Sequence, residues 1–375
     1  MTIPILNDNP SDSRRIVLLM DLASTCDLRC IHCYRSVLLQ RGANMTLDQI
    51  GVLEREVFPY IQNLSLSCAG EPLTRSNFRE GLRAAKRAGV PFIRIQTNAT
   101  YLKEEMSRFL IESGLDYMGV SLDAATKETY ETIRRGGHWE EVIGNLRTFS
   151  RLRRESGETK PTVGLNFTLL TLNTSDARDF IGLAAELGAD LIGFSHLLLE
   201  SWEAKQWSLR YDPNRMNDLL AELREESAKF DIPVHIPEDV SPLTELFEGP
   251  PREGVPSHSG RCAAAEEDWL FMMPNGDLFP CGNLQDQGPL GNVFETPFEE
   301  LWFGDRNQTF RDEALNGCVR GCDSCKLFAP TRDLNREITY LAKRLTTRSA
   351  EAMDFGEVHA KRRVFHRPER SRTNA

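Results

Sequence analysis

The chain has 375 residues, 40% hydrophobic and 27% charged, and its 55 acidic side chains outnumber 45 basic ones for a formal net charge of −10. That composition excludes a disordered or fibrous chain, and the acidic balance speaks against a general grip on nucleic acid, which needs a basic face. No apolar run approaches the ~20 residues of a membrane span, and the opening fifteen residues carry acids where a secretory signal has bases, so a cytoplasmic protein without a membrane partner is expected.

From residue 16 to about 236, strand patterns alternate with helix patterns. The predicted strands are Ile16–Leu22, Leu64–Cys68, Phe92–Thr97, Tyr117–Leu122, Val163–Leu170 and Leu191–His196. The first helix is predicted to start at Thr46, which forms a capping box with Gln49 and sets Leu47, Ile50, Leu53 and Val57 on one face. A second helix ends near Gly89. Further helices are predicted over 102–112, Trp139–Arg154, Ser175–Leu187 and Asn214–Phe230. Such alternation builds βαβ units and a parallel sheet, and six units fit the length, short of a closed eightfold barrel. In parallel α/β folds the chemistry sits at the carboxyl ends of the strands.

Prolines and glycines between 240 and 260 predict a connector. Beyond it, Trp269–Met273 and Leu278–Cys281 read as a hairpin turned by Asn275-Gly276. Thr296 is then expected to cap a helix with Pro297 at its first position and Glu299 at its third. The expected division is a disordered N-terminus (1–15), a barrel (16–239), a linker (240–260), a cysteine-bearing domain (261–330), and a C-terminal helix with a polar tail (331–375). The basic last fifteen residues read as a solvated tail.

Nine cysteines are the strongest signal. Disulfides are disfavoured in a reducing compartment, and the thiols are bunched, so metal ligation is the working reading. Cys26, Cys30 and Cys33 follow the first strand with C-x₃-C-x₂-C spacing. A cubane iron–sulfur cluster normally takes four thiolates; three leave one iron open, as a catalytic centre requires, whereas a structural zinc site wants a fourth ligand. Cys262, Cys281, Cys318, Cys322 and Cys325 lie near the end, and by spacing alone they fit a zinc ribbon as well as an iron–sulfur site. Cys68 stands apart and reads as a small buried side chain.

The C-x₃-C-x₂-C loop after a first strand resembles the radical SAM superfamily, over residues 16–236. Ala69-Gly70-Glu71-Pro72 is similar to that family's GGE motif, with Ala69 replacing its first glycine. Thr97-Asn98-Ala99 is similar to its T-N-G segment, and Ser121-Leu122-Asp123 through Arg134 to its S-x-D…TY…R segment. The resemblance implies an α/β fold, a partial (β/α)6 TIM-like barrel with a small C-terminal twitch- or SPASM-like extension. It implies a cluster on Cys26, Cys30 and Cys33 whose open iron binds S-adenosylmethionine (SAM). His32 would lie near the adenine and Gly70 and Glu71 at the methionine amino group. Asn98 would also contact SAM, Ser121 and Asp123 would approach the ribose, and Arg134 the SAM carboxylate. Cys262, Cys281, Cys322 and Cys325 would hold one auxiliary 4Fe–4S cluster. Cys318 would be the spare: an alternative ligand, a packed thiol, or a hydrogen-atom donor.

The implied activity is reductive cleavage of SAM to a 5′-deoxyadenosyl radical and hydrogen-atom abstraction, ending in dehydrogenation or epimerisation. An electron donor such as flavodoxin or ferredoxin is implied as a partner. Relatives that modify ribosomal peptides often carry an N-terminal winged helix; about fifteen residues precede the first strand here. A small polar metabolite (amino sugar, cyclitol or nucleoside) is therefore the expected substrate, a ribosomally made peptide the alternative, and a non-catalytic zinc module the remote one. His196, Glu200, Trp202 and Trp207 are the substrate-facing candidates, with His196 foremost as a catalytic residue.

Overall fold

The computed structural model describes residues 16–33, 44–197, 206–240, 262–266, 268–282 and 288–315. Six strands carry the parallel scaffold: β1 (Ile16–Met20), β2 (Ile61–Ser65), β3 (Phe92–Thr97), β4 (Tyr117–Ser121), β5 (Thr162–Leu169) and β6 (Leu191–His196). The helices between them are α1 (Leu47–Glu56), α2 (Asn77–Arg87), α3 (Glu104–Glu112), α4 (Lys127–Ile133), α5 (Trp139–Ser156) and α6 (Ala177–Glu186), followed by α7 (Pro213–Ser227) and a two-residue strand β7 (Val234–His235). Beyond the connector lie α8 (Ala263–Glu266), β8 (Trp269–Met272), β9 (Asp277–Phe279), β10 (Gly291–Asn292), α9 (Phe298–Phe303) and α10 (Asp305–Leu315). All ten strands join one sheet in the order β10-β9-β8-β1-β2-β3-β4-β5-β6-β7. β8 extends β1 in parallel, Val17 opposite Trp269, and β9 returns antiparallel to it. The sheet is thus a partial barrel in which, among the described residues, neither edge strand, β10 nor β7, pairs with the other.

The alternation of strand side chains divides the molecule. Leu18, Leu64, Ile93, Ile95, Met118, Val120, Leu165, Phe167, Ile192 and Phe194 are buried in the continuous core under the helices. Phe167, Phe180 and Phe194 pack there with ring centroids 4.9–5.9 Å apart. The opposite face lines the lumen, and near the carboxyl ends its residues are half-exposed: Leu19, Gln96, Ser121, Asn166, Thr168 and Ser195. The helical layer thus supplies burial, and the lumen face keeps a half-exposed polar rim among the described residues.

Several local expectations shift. The capping box at Thr46 forms, with Gln49 N–H donating to Thr46 Oγ1 at 3.2 Å and Thr46 N–H to Gln49 Oε1 at 2.9 Å. Ile50, Leu53 and Val57 are buried, but Leu47, at the first helical position, is 62% exposed. β2 begins at Ile61, three residues early, because the 3₁₀ turn Phe58–Tyr60 feeds straight into it. It ends at Ser65 because the amides of Cys68, Ala69 and Gly70 turn instead to the Asp21 carboxylate. The Asn275-Gly276 hairpin forms; Gly276 sits at φ +93°, and a Cβ there would meet the Phe294 ring at 2.4 Å. Thr296 does not cap α9: Pro297 is the cap residue, and the helix starts one residue later than expected. α4 and β7 are too short to leave a periodic pattern in the sequence.

Candidate active site at the strand ends

The loop after β1 is fixed by backbone pairing with the segment that ends α4. Arg29 N–H donates to Arg135 O at 2.8 Å and Ile31 N–H to Ile133 O at 3.0 Å, while Ile31 packs against Ile133, Leu170 and Leu197. This holds Cys26, Cys30 and Cys33 at the carboxyl end of the sheet. Burial pushes the Cys26 thiol up to about 12. Burial likewise raises Cys30 to about 11, against the pull of Arg134, whose Nη1 lies 3.8 Å from Cys30 Sγ. Asn98 Nδ2 donates to Asp27 Oδ1 at 2.9 Å and lies 3.9 Å from Cys26 Sγ. Thiols held this way are poor nucleophiles at neutral pH, and they surrender their protons to a metal centre.

Asp21, which the sequence reading missed, organises the second strand end. Its carboxylate accepts from Cys68 N at 2.8 Å, Ala69 N at 2.8 Å and Gly70 N at 3.2 Å. Gly70 needs its missing side chain, since a Cβ would lie 2.5 Å from Ala23 O. Glu71 follows, buried, with Oε1 accepting from Thr97 Oγ1 at 2.6 Å and Leu73 N at 3.2 Å, and Oε2 from Asn98 N at 2.7 Å. Burial raises it to about 7 despite these bonds. Glu71 therefore stitches the end of β2 to the Thr97-Asn98 turn while keeping Oε2 lone-pair capacity for a ligand cation. An acid in the strand-like run LLMDL was the available signal for Asp21.

The third group joins the ends of β4 and β5 to the cysteine loop. Asp123, at φ +57°, is buried; its Oδ2 lies 2.5 Å from Arg134 Nη2 and 3.2 Å from His32 Nε2, and its Oδ1 accepts from Thr168 N at 2.7 Å. Burial alone would raise Asp123, but Arg134 and His32 outweigh it and hold the carboxyl well below its usual range. Ser121 Oγ accepts from Gln96 Nε2 at 2.6 Å, and Gln96 Oε1 accepts from Asn166 Nδ2 at 3.1 Å, a polar band across three strands. Gln96 and Asn166 also escaped the sequence reading. Seven expected cofactor residues, His32, Gly70, Glu71, Asn98, Ser121, Asp123 and Arg134, thus lie with the first three cysteines on one end of the sheet.

His196 does not join them. It shares a strand face with Ile192 and Phe194, so it turns into the helix side, 3% exposed, with Nε2 3.3 Å from Glu238 O. Burial, with Arg210 and His235 adding to it, lowers it to about 4. The lumen-facing residue of that strand end is Ser195: one position of alternation separates the expected residue from the placed one. Trp207 packs beside Ile133, Leu170 and Leu197. Cys68 contacts the Phe271, Met273 and Phe279 cluster. Cys262 and Cys281 pack together against Ala264, Ala265, Phe310 and Ala314. Glu200, Trp202, Cys318, Cys322, Cys325, the N-terminus, most of the connector and the C-terminal tail lie outside the described residues.

The residues fit a cluster-bound cofactor. Among the described residues no three His, Cys, Asp or Glu side chains converge on a single ion, whereas a cubane is gripped at separated corners. His32 Nδ1, Arg134 Nε and Asn166 Oδ1 are buried around the same end without a protein partner. Orphaned polar atoms cost roughly 1–3 kcal/mol each, a cost that a polar ligand removes. The three thiols can hold the cluster and these atoms can meet a zwitterionic nucleoside. Among the described residues no helix is long and apolar enough to cross a membrane.

Comparison with known proteins agrees. Residues 20–184 match the Radical SAM superfamily, and residues 262–326 match the SPASM iron-sulfur cluster-binding domain, together more than half of the chain. A tungsten-containing aldehyde ferredoxin oxidoreductase cofactor-modifying protein of Pyrococcus furiosus is 22% identical, over 85% of this chain and 90% of its own. An AdoMet-dependent heme synthase of Methanosarcina barkeri is 24% identical, over 83% and 89%. Among solved structures, Streptococcus suis SuiB bound to S-adenosylmethionine shares the fold with a TM-score of 0.61 at 18% identity, covering 80% of this chain and 68% of that one. Native anSMEcpe with bound AdoMet shares it with a TM-score of 0.59 at 19% identity, covering 88% and 98%. A cysteine loop on a partial barrel, the ordered strand-end motifs and both family matches lead to one conclusion: the chain belongs to the radical SAM superfamily, an iron–sulfur enzyme that uses S-adenosylmethionine and carries a C-terminal SPASM domain with an auxiliary iron–sulfur cluster.

Proposed function

We propose that this enzyme is a peptide maturase, which removes a hydrogen atom from one residue of a ribosomally made peptide as the first step of its dehydrogenation or epimerisation. The observation that carries this reading is the open lumen. Among the described residues the sheet ends at β7 and β10 without closing, so one residue of an extended chain can reach the half-exposed wall of Gln96, Ser121, Asn166, Thr168 and Ser195 while its flanks stay outside. Relatives' names add support: SuiB has been solved with its precursor peptide SuiA, and anSMEcpe with peptides. A second reading, a tetrapyrrole substrate, draws support from curated relatives named as a heme synthase and a pre-heme d1 synthase. The small polar metabolite expected from the sequence has less support than either.

In this reading Cys26, Cys30 and Cys33 hold the first cluster, and Cys262, Cys281, Cys322 and Cys325 the auxiliary one, with Cys318 as the spare thiol. When bound, the cluster and SAM supply one-electron reductive cleavage and a hydrogen-abstracting radical, fed by an external donor such as flavodoxin or ferredoxin. The chain's own residues place and shield that chemistry. Asp21 fixes the Gly70 backbone against the cysteine loop. Glu71 offers a buried carboxylate for an ammonium, and Arg134, oriented by Asp123, offers a guanidinium edge for a carboxylate. His32 and Asn98 border the cysteines, and Ser121 caps the polar band. The test is 5′-deoxyadenosine formation by the anaerobically reconstituted, reduced protein with SAM and an extract of its source organism. Protease treatment of the extract is expected to abolish the stimulation. Stimulation that survives protease would point to the tetrapyrrole or another small molecule.

A further inference from the structure

Below the polar rim, the lumen holds a cation without a counter-ion. Arg94 lies on the lumen face of β3, two residues before Gln96 and so about 6–7 Å deeper; its neighbours Ile93 and Ile95 point into the helix-side core. It is 8% exposed. Among the described residues no carboxylate pairs with it, and its Nε is buried without a partner. Burial pulls its guanidinium below the ordinary range, and Tyr117 and Cys68 are the groups whose charge acts against that fall. Tyr117 pairs with Arg94 across β3 and β4, and its buried hydroxyl has Asn166 as its one weak side-chain contact, short of a full hydrogen bond. The hydroxyl occupies the room left by Gly164, where a Cβ would lie 2.1 Å from it. A lone buried charge costs several kcal/mol, and a core free to choose would replace it with a hydrocarbon. Here a fixed guanidinium fork and a phenol donor stand together beneath an open polar rim.

We propose that Arg94 and Tyr117 form an anion subsite on the lumen floor that takes a carboxylate of the substrate. This rests on the reading above only in treating the lumen as the substrate compartment. One cation and one neutral donor match a singly charged, planar oxyanion that a guanidinium grips bidentately; a phosphate monoester, with nearly two charges, would find the site short of donors. In a peptide the carboxylate is an acidic side chain beside the modified residue. The other source of the same chemistry is the methionine carboxylate of SAM, and the test separates the two.

The test uses the reconstituted full-length holoenzyme, thermal unfolding with propionate or its neutral analogue propionamide, and SAM binding by equilibrium dialysis. Propionate is expected to raise the melting temperature of the wild type, and propionamide to leave it unchanged. Arg94→Met is expected to melt above the wild type without additive, because an unpaired buried charge is gone, and to lose the propionate response. Tyr117→Phe is expected to fold normally and respond more weakly. SAM affinity should stay within about twofold in both. A propionate response that survives in Arg94→Met, or an Arg94→Met protein that melts well below the wild type, would overturn the subsite. A tenfold loss of SAM affinity in Arg94→Met would also overturn it, by giving the guanidinium to SAM instead. No arm depends on turnover, so a failure here is distinct from a failure of the peptide reading.

Discussion

Cys26, Cys30 and Cys33 sit in a loop stitched by charge: Arg134 approaches Cys30, Asn98 approaches Cys26, and the Asp123–His32–Arg134 group ties the loop to two strand ends. Cys262 and Cys281 sit instead against an apolar cluster of Ala264, Ala265, Phe310 and Ala314. In the proposed reading, the difference follows from what each region would touch. A centre that binds a zwitterionic cofactor at an open position needs fixed charges and donors beside its ligands. A centre held on all sides by protein needs a dry shell, which tunes its potential through burial.

The largest expected effect separates the two regions by substitution. Cys30→Ser should abolish 5′-deoxyadenosine formation altogether, whereas Cys262→Ser should retain substrate-independent SAM cleavage and lose substrate modification. Iron content and product analysis on the two variants check this, and equal loss in both would erase the distinction. Next comes the buried charge group. Arg134→Met takes the guanidinium from Asp123, 1% exposed, and leaves it only His32 and the Thr168 amide, so denaturant unfolding should show a loss of up to about 3–5 kcal/mol. Removing a charge near the apolar pair, by Asp312→Asn on the exposed side of α10, should change stability by less than about 0.5 kcal/mol.

Glu71 sharpens the comparison through pH. Its folded value of about 7 stands above the ordinary 4.5, so the folded protein keeps a proton that the unfolded chain releases between those values. The resulting stability is full below 4.5 and is lost as pH rises to 7, by at most about 3 kcal/mol. Chemical denaturation of the cluster-free protein from pH 4.5 to 7.5 should show that decline, and Glu71→Gln should flatten it. The smallest effect lies away from both regions: Thr46→Ala removes the α1 cap and should cost about 1 kcal/mol with turnover unchanged.

Much of this was legible in the sequence because it is local. β3 and β6 were read residue for residue, the cysteine loop announced itself by spacing, and the strand-end motifs by their resemblance to the family. What escaped needed tertiary information. Asp21 matters because it gathers three amides from a loop almost fifty residues away. His196 was assigned to the site because a strand end was recognised without the parity that turns its side chain outward. The hairpin of β8 and β9 was legible, but its docking on the edge of β1 is a contact across about 250 residues of chain that no local pattern encodes. Arg94 looked like one more polar residue in a strand until the fold placed it, unpaired, on the lumen floor.

The most direct test of the central claim is 5′-deoxyadenosine formation from SAM by the anaerobically reconstituted, reduced wild-type protein, run beside Cys30→Ser. The account predicts product from the wild type and none from the variant. Equal product from both, or none from a wild type that carries its full complement of iron, would contradict it.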